Sequence, residues 1–403
     1  MTRLVIVGGG HAAAQLAASL AEKQFPGSIV LVSDEPEIPY HRPPLSKTLI
    51  KDPEAPLPEL RGASFYEQAG ITLKLGTRAV SIDRAGKRLR LSSPAGQEDL
   101  AYDHLVLATG ACVRELPQAP VGTPGVHYLR TYAQARALRD ALPDAQRVVV
   151  LGGGFIGLEI AATARHLGKE VTVFESMPRL LTRSVSPEIS SFLLETHRGA
   201  GVDIRLGSSV DGLEMAQGKA VGVVSGGAVV PADIVIAGIG ATPNVELARE
   251  AGLACDNGIV VDATLATVDP AISAIGDCTS FPHPAWPQPL RLESVQNAND
   301  QARTLAARLC GDPQPYTAVP WFWSDQGEAR LQITGLWRPG YESVVRPAAR
   351  GNGFSVLHFE GDALRAIESV NSPVDQMTAR KLMQAGLSPA KSAAADPAVP
   401  LKA

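Results

Sequence analysis

Two short glycine runs carry the first chemistry in this sequence. Gly8-Gly9-Gly10-His11-Ala12-Ala13 follows the apolar run Leu4–Val7, and Gly152-Gly153-Gly154-Phe155-Ile156-Gly157 follows Val148–Leu151. Each stands between a short β-branched stretch and an Ala/Leu-rich stretch at helical spacing, the context a phosphate-binding fingerprint needs. The first glycine (Gly8, Gly152) permits the tight turn, and the backbone that follows can approach a pyrophosphate. The small third position, Ala13 or Gly157, lets helix pack closely on strand, and the helix N-terminus then faces the phosphates. A carboxylate about 20 residues further on commonly binds the adenosine ribose. Asp34 follows Ile29–Val32, and Glu175 follows Val171–Phe174. A carboxylate at Glu175 accepts from a free 2′-hydroxyl and repels a 2′-phosphate, so the second copy should prefer NADH over NADPH. Arg179 and Arg183, close downstream, would soften that preference. Two copies in one chain point to two dinucleotides, with electrons passing between them.

The elements around these motifs repeat. Residues 1–35 read strand–helix–strand, with a helix from about Ala12 to Glu22, and residues 147–175 repeat the unit. Residues 36–62 are rich in proline and lack periodicity, which predicts a long ordered loop or a few short turns. Loops of that length inside a compact domain are often functional. Further buried strands end at Ala108-Thr109-Gly110, at Gly238-Ile239-Gly240 and at Gly276-Asp277, the last followed by a helix from about Ser294 to Leu309. After Pro313 the pattern changes to strand-like runs (Ala329–Ile333, Ser343–Val345, Phe354–Phe359, Leu364–Val370) and a helix near 374–385, with 388–403 as an extended tail. The expected fold is α/β: two Rossmann-like dinucleotide-binding domains plus a C-terminal α+β domain. Residues 1–114 and 241–316 form the first, 115–240 the second and 317–403 the third.

Bulk properties narrow the function. The chain has 403 residues, 45% hydrophobic and 19% charged, with a net charge of −4. That balance supports neither nucleic-acid nor membrane binding through overall charge. No apolar run reaches the roughly 18 to 20 residues of a membrane span. The first strand begins by Leu4, which leaves no room for a signal peptide. The four cysteines, Cys112, Cys255, Cys278 and Cys310, are scattered with no Cys-x-x-Cys pair. Such spacing argues for a reducing compartment, with cytoplasm expected, and against a metal site or a dithiol centre.

With these pieces placed, the chain resembles the two-dinucleotide-fold flavoprotein disulfide reductase superfamily, and within it the NADH-dependent ferredoxin reductases that serve bacterial oxygenases and cytochromes P450. The resemblance spans essentially the whole chain. It rests on Pro39-Tyr40-His41-Arg42-Pro43-Pro44-Leu45-Ser46-Lys47, Leu107-Ala108-Thr109-Gly110, Gly152–Glu159, Ala274-Ile275-Gly276-Asp277-Cys278 and Pro320-Trp321-Phe322-Trp323-Ser324-Asp325-Gln326. The resemblance implies FAD in the first fold and NAD in the second. Ala12, Asp34, Lys47, Ala79, Arg130, Asp277 and Val295 fall where the family contacts FAD; with Gly8, Gly10, Ala13, Arg42, Pro44, Ala108, Thr109 and Gly110 they make up the expected FAD set. Gly152, Gly154, Ile156, Gly157, Glu159, Glu175, Arg183, Gly238, Ile239 and Gly240 make up the NAD set. Ser294, a good N-cap, would place a helix dipole's positive end near the flavin pyrimidine edge, where negative charge develops on reduction. The family brings Lys47 and Glu159 together near the flavin's reactive nitrogen, where a cation favours the anionic reduced form. Trp321 and Trp323 alternate on one short strand, so only one should face the flavin; the resemblance favours Trp321, which joins Lys47 and Glu159 as the expected catalytic set.

One departure decides the reaction. The superfamily's disulfide reductases carry a Cys-x4-Cys pair beside the flavin, and its peroxidases keep one cysteine there. This chain has no cysteine before Cys112. Without a sulfur relay, electrons leave the flavin directly, in single steps, for an acidic 2Fe–2S ferredoxin or a rubredoxin that feeds an oxygenase or P450. Four isolated cysteines cannot hold such a cluster in this chain. Arg291, Arg303 and Arg330 are candidates for a basic rim that would raise the association rate. The nearest rival is an NADH oxidase or diaphorase delivering electrons to oxygen or quinone. A redox-sensing interaction protein would call for targeting sequence, insertions or a strongly basic face.

Overall fold

The computed structural model describes residues 2–402. It separates into two compact units. One comprises Met1–Arg42, Leu57–Cys112 and Thr242–Ala318, the other Pro43–Pro56, Val113–Ala241 and Val319–Ala403. In the first unit a five-stranded parallel sheet runs Ile272–Ala274, His104–Leu107, Arg3–Val7, Ser28–Val32, Ile71–Lys74. Leu4 to Val7 are all buried, as are Leu105 to Leu107. Strands covered on both faces need apolar side chains at every position, which is why these segments read as continuous runs rather than alternations. The helix His11–Glu22 leaves the central strand and lies against Val295–Leu309.

The second unit shares this order over four strands, Ile234–Ala237, Arg147–Leu151, Glu170–Glu175 and Asp203–Leu206, all parallel; its remaining strand, Val126–His127, pairs with Ile234–Ala237 but precedes the others in the chain, where Ile272–Ala274 follows them in the first. Its helix Phe155–His166 follows the central strand. The C-terminal part of this unit is a five-stranded antiparallel sheet, Trp321–Gln326, Ala329–Gly335, Ala363–Val370, Phe354–Glu360, Glu342–Pro347, followed by the helix Pro373–Gln384. Both Rossmann-like folds and the C-terminal α+β part are present as the sequence predicts.

Three features escape the sequence pattern. Each fold inserts a three-stranded antiparallel meander, Arg78–Asp83/Arg88–Ser93/Gly96–Ala101 after Ile71–Lys74 and Gly212–Ala216/Lys219–Ser225/Ala228–Pro231 after Asp203–Leu206. Several of these strands are exposed along most of their length, so no buried face imposes an alternation on them. The pair Thr279–His283 and Trp286–Leu290 contains Pro282, Pro287 and Pro289, which read as loop.

The third is a correction: of the segment 388–403, expected to be an extended tail, the described residues 388–402 are not one. They include the helix Lys391–Ala395, and Ala394 and Leu401 join a core with Leu357, Phe359 and Ile367. Arg346 anchors them. Its side chain is 4% exposed, and the guanidinium pairs with Asp375 at 3.0 Å and donates to the carbonyls of Ala393, Ala394, Asp396, Pro397 and Val399. No periodicity in the tail foretells a partner 50 residues upstream.

Two outcomes follow from this packing. Arg346→Ala leaves several buried carbonyls without partners and the Asp375 charge with only the Ser355 and Ser372 hydroxyls, and should cost about 3 kcal/mol, read as a lower urea midpoint and as faster carboxypeptidase trimming. His104 bonds Ser273 Oγ at 2.9 Å, and burial drives its pKa down to about 4, helped by Arg308 and Lys87. The unfolded chain then binds this proton first. The associated stability is complete above about pH 6.5 and is lost as pH falls towards about 4, by up to about 3 kcal/mol. Urea midpoints at pH 7 and pH 4.5 should converge in His104→Asn relative to the wild type; an undiminished acid loss would exclude His104 as its source.

Candidate functional site

The two glycine turns are built alike. Gly8 has φ +125°, and a Cβ there would lie 2.1 Å from the Ala108 carbonyl oxygen; Gly152 has φ +104°, and its Cβ would lie 2.4 Å from Gly238 O. Only glycine fits, because the turn crosses directly over the loop that leaves the adjacent parallel strand, His104–Leu107 in one fold and Ile234–Ala237 in the other. Gly157 completes the second turn: a Cβ there would meet Gly152 O at 2.2 Å. The last glycine of each run behaves differently. Around Gly154 nothing lies within 4 Å of a built Cβ, and at Gly10 only Arg42 Nε does, at 4.0 Å.

The helices that start at those open positions, His11–Glu22 and Phe155–His166, have no side-chain cap and no acid in the first turn. By contrast Thr131, Ser186 and Ser294 cap Tyr132–Ala141, Pro187–Gly199 and Val295–Leu309. Uncapped N–H groups at the positive end of a helix suit an anion. Arg42 adds a cation in the first unit. Burial disfavours its charge, but Tyr40, Glu35 and Asp277 more than offset that and raise its pKa. The residues present therefore fit a dinucleotide pyrophosphate in each fold.

The acids differ between the copies. Glu175 Oε2 accepts from Gly153 N at 2.7 Å and Oε1 from Met177 N at 2.8 Å. In the first fold Ser33, not Asp34, lies where Glu175 lies in the second, since Val32 pairs with Val7 as Phe174 pairs with Leu151. Asp34 is exposed one residue further on, with no side-chain partner among the described residues. Its neighbour Glu35 is bonded by Tyr40 Oη and by Arg42 at 2.6 Å.

Within the second unit, Glu159 is the meeting point of three distant segments. It is 5% exposed and accepts from Lys47 Nζ at 2.8 Å, Ser46 Oγ at 2.6 Å and Ser324 Oγ at 2.5 Å. Pro43–Ser46 forms a 3-10 turn, with Pro44 O accepting from Lys47 N, and Thr163 Oγ1 donates to Ser46 O. Gln326 donates to Ser324 Oγ at 2.8 Å and bonds His197 Nε2 at 3.0 Å; burial lowers the His197 pKa. Asp325 Oδ2 lies 3.9 Å from Lys47 Nζ. Ser46, Ser324 and Gln326 carry no expectation from sequence, although Ser46 lies in the Pro39–Lys47 string and the other two in the Trp-Phe-Trp-Ser-Asp-Gln string. Its period-two pattern held the signal: Ser324 and Gln326 are buried on one face, while Trp321, Trp323 and Asp325 share the other. The expectation that the two tryptophans diverge is thereby corrected. Residues i and i+2 of a strand point the same way, and their rings stack at 5.3 Å with Arg380 4.8 Å over Trp321.

The other expected residues fall as follows. Ala12 and Ala13 are buried in the first turn of His11–Glu22. Thr109 Oγ1 donates to Asn244 O at 2.7 Å, and Gly110 has φ +66°. Asp277 follows Gly276, φ +82°, and Arg291 donates to its carbonyl. Val295 opens the helix capped by Ser294, whose Oγ accepts from Asn297 N at 3.1 Å. Ala79 sits on the first meander, paired with Leu91. Arg130 belongs to the second unit, its N–H donating to Gln134 Oε1. Ile156 and Arg183 are exposed; Ile239 packs on the core beside Ala237, between Gly238 and Gly240. Arg291 and Arg303 pair with Glu293 and Asp300, which reduces the basic rim expected of them, while Arg330 is exposed. All four cysteines are unbridged. Among the described residues no cluster of three or more His, Cys, Asp or Glu could hold a metal, and no helix is long and apolar enough to cross a membrane.

Comparison with known proteins gives a consistent picture. Residues 2–302 match the pyridine nucleotide-disulphide oxidoreductase family and residues 321–403 the reductase C-terminal family. The chain is 46% identical to rhodocoxin reductase of Rhodococcus erythropolis over 99% of its own length and 93% of the relative's. It matches the crystal structure of the ferredoxin reductase for the CYP199A2 system of Rhodopseudomonas palustris with a TM-score of 0.95, at 44% identity, covering 100% and 99% of the two chains. The reductase of a covalent putidaredoxin reductase–putidaredoxin complex matches with a TM-score of 0.93, at 41% identity, over 99% and 97%.

The Glu159 network makes a prediction independent of any ligand. Lys47→Met and Glu159→Gln should each destabilise the protein more than half as much as the double variant, because each alone strands the other's partners. The coupling in a urea-unfolding double-mutant cycle should be about 1–3 kcal/mol; simple additivity would show that the two side chains are not bound to each other.

Proposed function

This chain belongs to the pyridine nucleotide-disulphide oxidoreductase family, and we propose that it is an FAD-dependent NADH:ferredoxin reductase. In this reading residues 1–114 and 241–316 hold FAD, 115–240 hold NADH and 317–403 form the C-terminal domain. One NADH is oxidised to NAD⁺ and a proton, and two ferredoxin molecules of the 2Fe–2S kind each take one electron on to an oxygenase or cytochrome P450. FAD, when bound, supplies the ability to take two electrons together and release them singly.

The observation that carries this reading is what stands where disulfide reductases keep their cysteines. The segment Pro43–Lys51 contains no sulfur; it presents Lys47, whose ammonium is 2.8 Å from the buried Glu159. No thiol there can relay electrons to a disulfide substrate. Lys47 instead supplies a fixed positive charge, oriented by Glu159 and, through Ser324, by Gln326. Such a charge favours electron-rich states nearby without reorganising. The open glycine turns and uncapped helices receive the two pyrophosphates, with Arg42 serving the first, Asp277 the ribityl chain of the same FAD, and Glu175 the ribose of the second nucleotide. Trp321 and Trp323 present a stacked aromatic face edged by Arg380, suited to an acidic partner whose docking is set by charge and completed by apolar contact. The unbridged cysteines support a reducing, cytoplasmic setting.

Stopped-flow mixing tests the proposal. NADH should reduce the yellow holoprotein within the mixing experiment, and a 2Fe–2S ferredoxin should reoxidise it far faster than air-saturated buffer does. Reoxidation by air as fast as by every ferredoxin tried would favour an NADH oxidase or diaphorase instead.

A further inference from the structure

The segment between Glu175 and the helix Pro187–Gly199 is held in an unusual way. Leu180 packs so closely on the second glycine turn that a Cβ at Gly153 would lie 2.6 Å from its Cδ2 and 3.0 Å from Glu175 Oε2. Leu181, at φ +51°, reverses the chain, and its N–H donates to Gly153 O. The far end is fixed by a buried carboxylate of the C-terminal sheet: both oxygens of Glu368 accept from Ser186 N at 3.1 Å, and His358 Nε2 bonds Glu368 at 2.9 Å. The segment therefore borders the ribose-binding carboxylate along one side.

Its charges are arranged asymmetrically. Both oxygens of Glu175 are fixed by backbone N–H groups, and no ion pair neutralises them among the described residues. Arg179, four residues on, makes no ion pair with it and is engaged elsewhere. One of its terminal nitrogens donates to Thr182 O and the other to Val185 O, each at 2.8 Å, and the guanidinium lies 5.2 Å from the Trp337 ring. Arg205 is likewise occupied, by Asp203 and the Phe174 ring. Arg183 is exposed, where water and salt screen it.

We propose that Trp337, on the C-terminal sheet's connecting loop, is a specificity-determining residue for the nicotinamide nucleotide. By holding Arg179 against itself it withholds from the ribose site the cation that a 2′-phosphate would need, and it leaves Glu175 to repel that phosphate unopposed. Selectivity for NADH is then set by the C-terminal domain as well as by the nucleotide fold. This rests on the reading of the second fold as the NADH site.

The test compares kcat/KM, and calorimetric Kd, for NADH and NADPH in the holoprotein. Trp337→Leu should raise kcat/KM for NADPH about tenfold (about 1.4 kcal/mol) and change that for NADH by less than about twofold. Arg179→Gln in the Trp337→Leu background should abolish the gain, and Trp337→Phe, which retains a ring, should keep wild-type selectivity. In the wild-type background Arg179→Gln should leave NADPH use unchanged, a measurement that stands even if Trp337→Leu fails to fold. A loss of NADPH use in that single variant would overturn the proposal, as would a gain in Trp337→Leu that persists without Arg179, or no gain in a Trp337→Leu protein with wild-type flavin absorbance and melting. A wild-type protein that binds neither nucleotide would overturn the NADH-site reading and the proposal with it.

Discussion

A carboxylate buried with a charge must find its donors, and in the second unit Glu159 finds them on segments far apart in the chain. Lys47 and Ser46 come from the proline-rich stretch and Ser324 from the first strand of the C-terminal sheet. Removing any one leaves the others facing an undersatisfied charge, at a cost that grows with burial. That requirement gives the short segment Pro43–Pro56 its place in this unit although it interrupts the first unit in sequence. It also explains the irregular conformation of Lys47, φ −128° and ψ −101°, at the start of Thr48–Lys51. The prolines on either side reduce the entropy lost when the ammonium is fixed.

The parts of the fold legible in the sequence are those where physics acts locally. Continuous apolar runs mark strands covered on both faces, and the glycine turns are dictated by steric contacts of 2.1 to 2.4 Å that no other residue could meet. Ser294 announces its helix by capping it. What stayed hidden depends on partners distant in the chain. The meanders bury too little of either face to impose a period, and the tail has no pattern of its own because Arg346 collects its carbonyls one by one. The site divides along the same line. Glu175 and Lys47 could be named from motifs, whereas Ser324 and Gln326 emerge only once the strand Trp321–Gln326 is given its two faces. The same strand shows how a correct element can carry a wrong inference, since alternation places Trp321 and Trp323 together.

The two nucleotide folds share the order of four strands and a turn but diverge at the acid. In the second, the carboxylate ends the strand itself and is fixed by the glycine loop it serves. In the first, a serine occupies that register position, and the acidic pair Asp34 and Glu35 follows, one member exposed and the other engaged by Tyr40 and Arg42. A fold duplicated in architecture has therefore been given two different electrostatic environments.

The helices that begin at Gly10 and Gly154 start without a side-chain cap. A helix usually completes itself with a serine or threonine; here the completing group has been left to a ligand. Folding and nucleotide occupancy thus become a single linked equilibrium, in which each bound nucleotide deepens the native well by RT ln(1 + [L]/Kd). Such a protein is most resistant to unfolding when it is loaded for work, and its lifetime in a cell is tied to the supply of the molecules it handles.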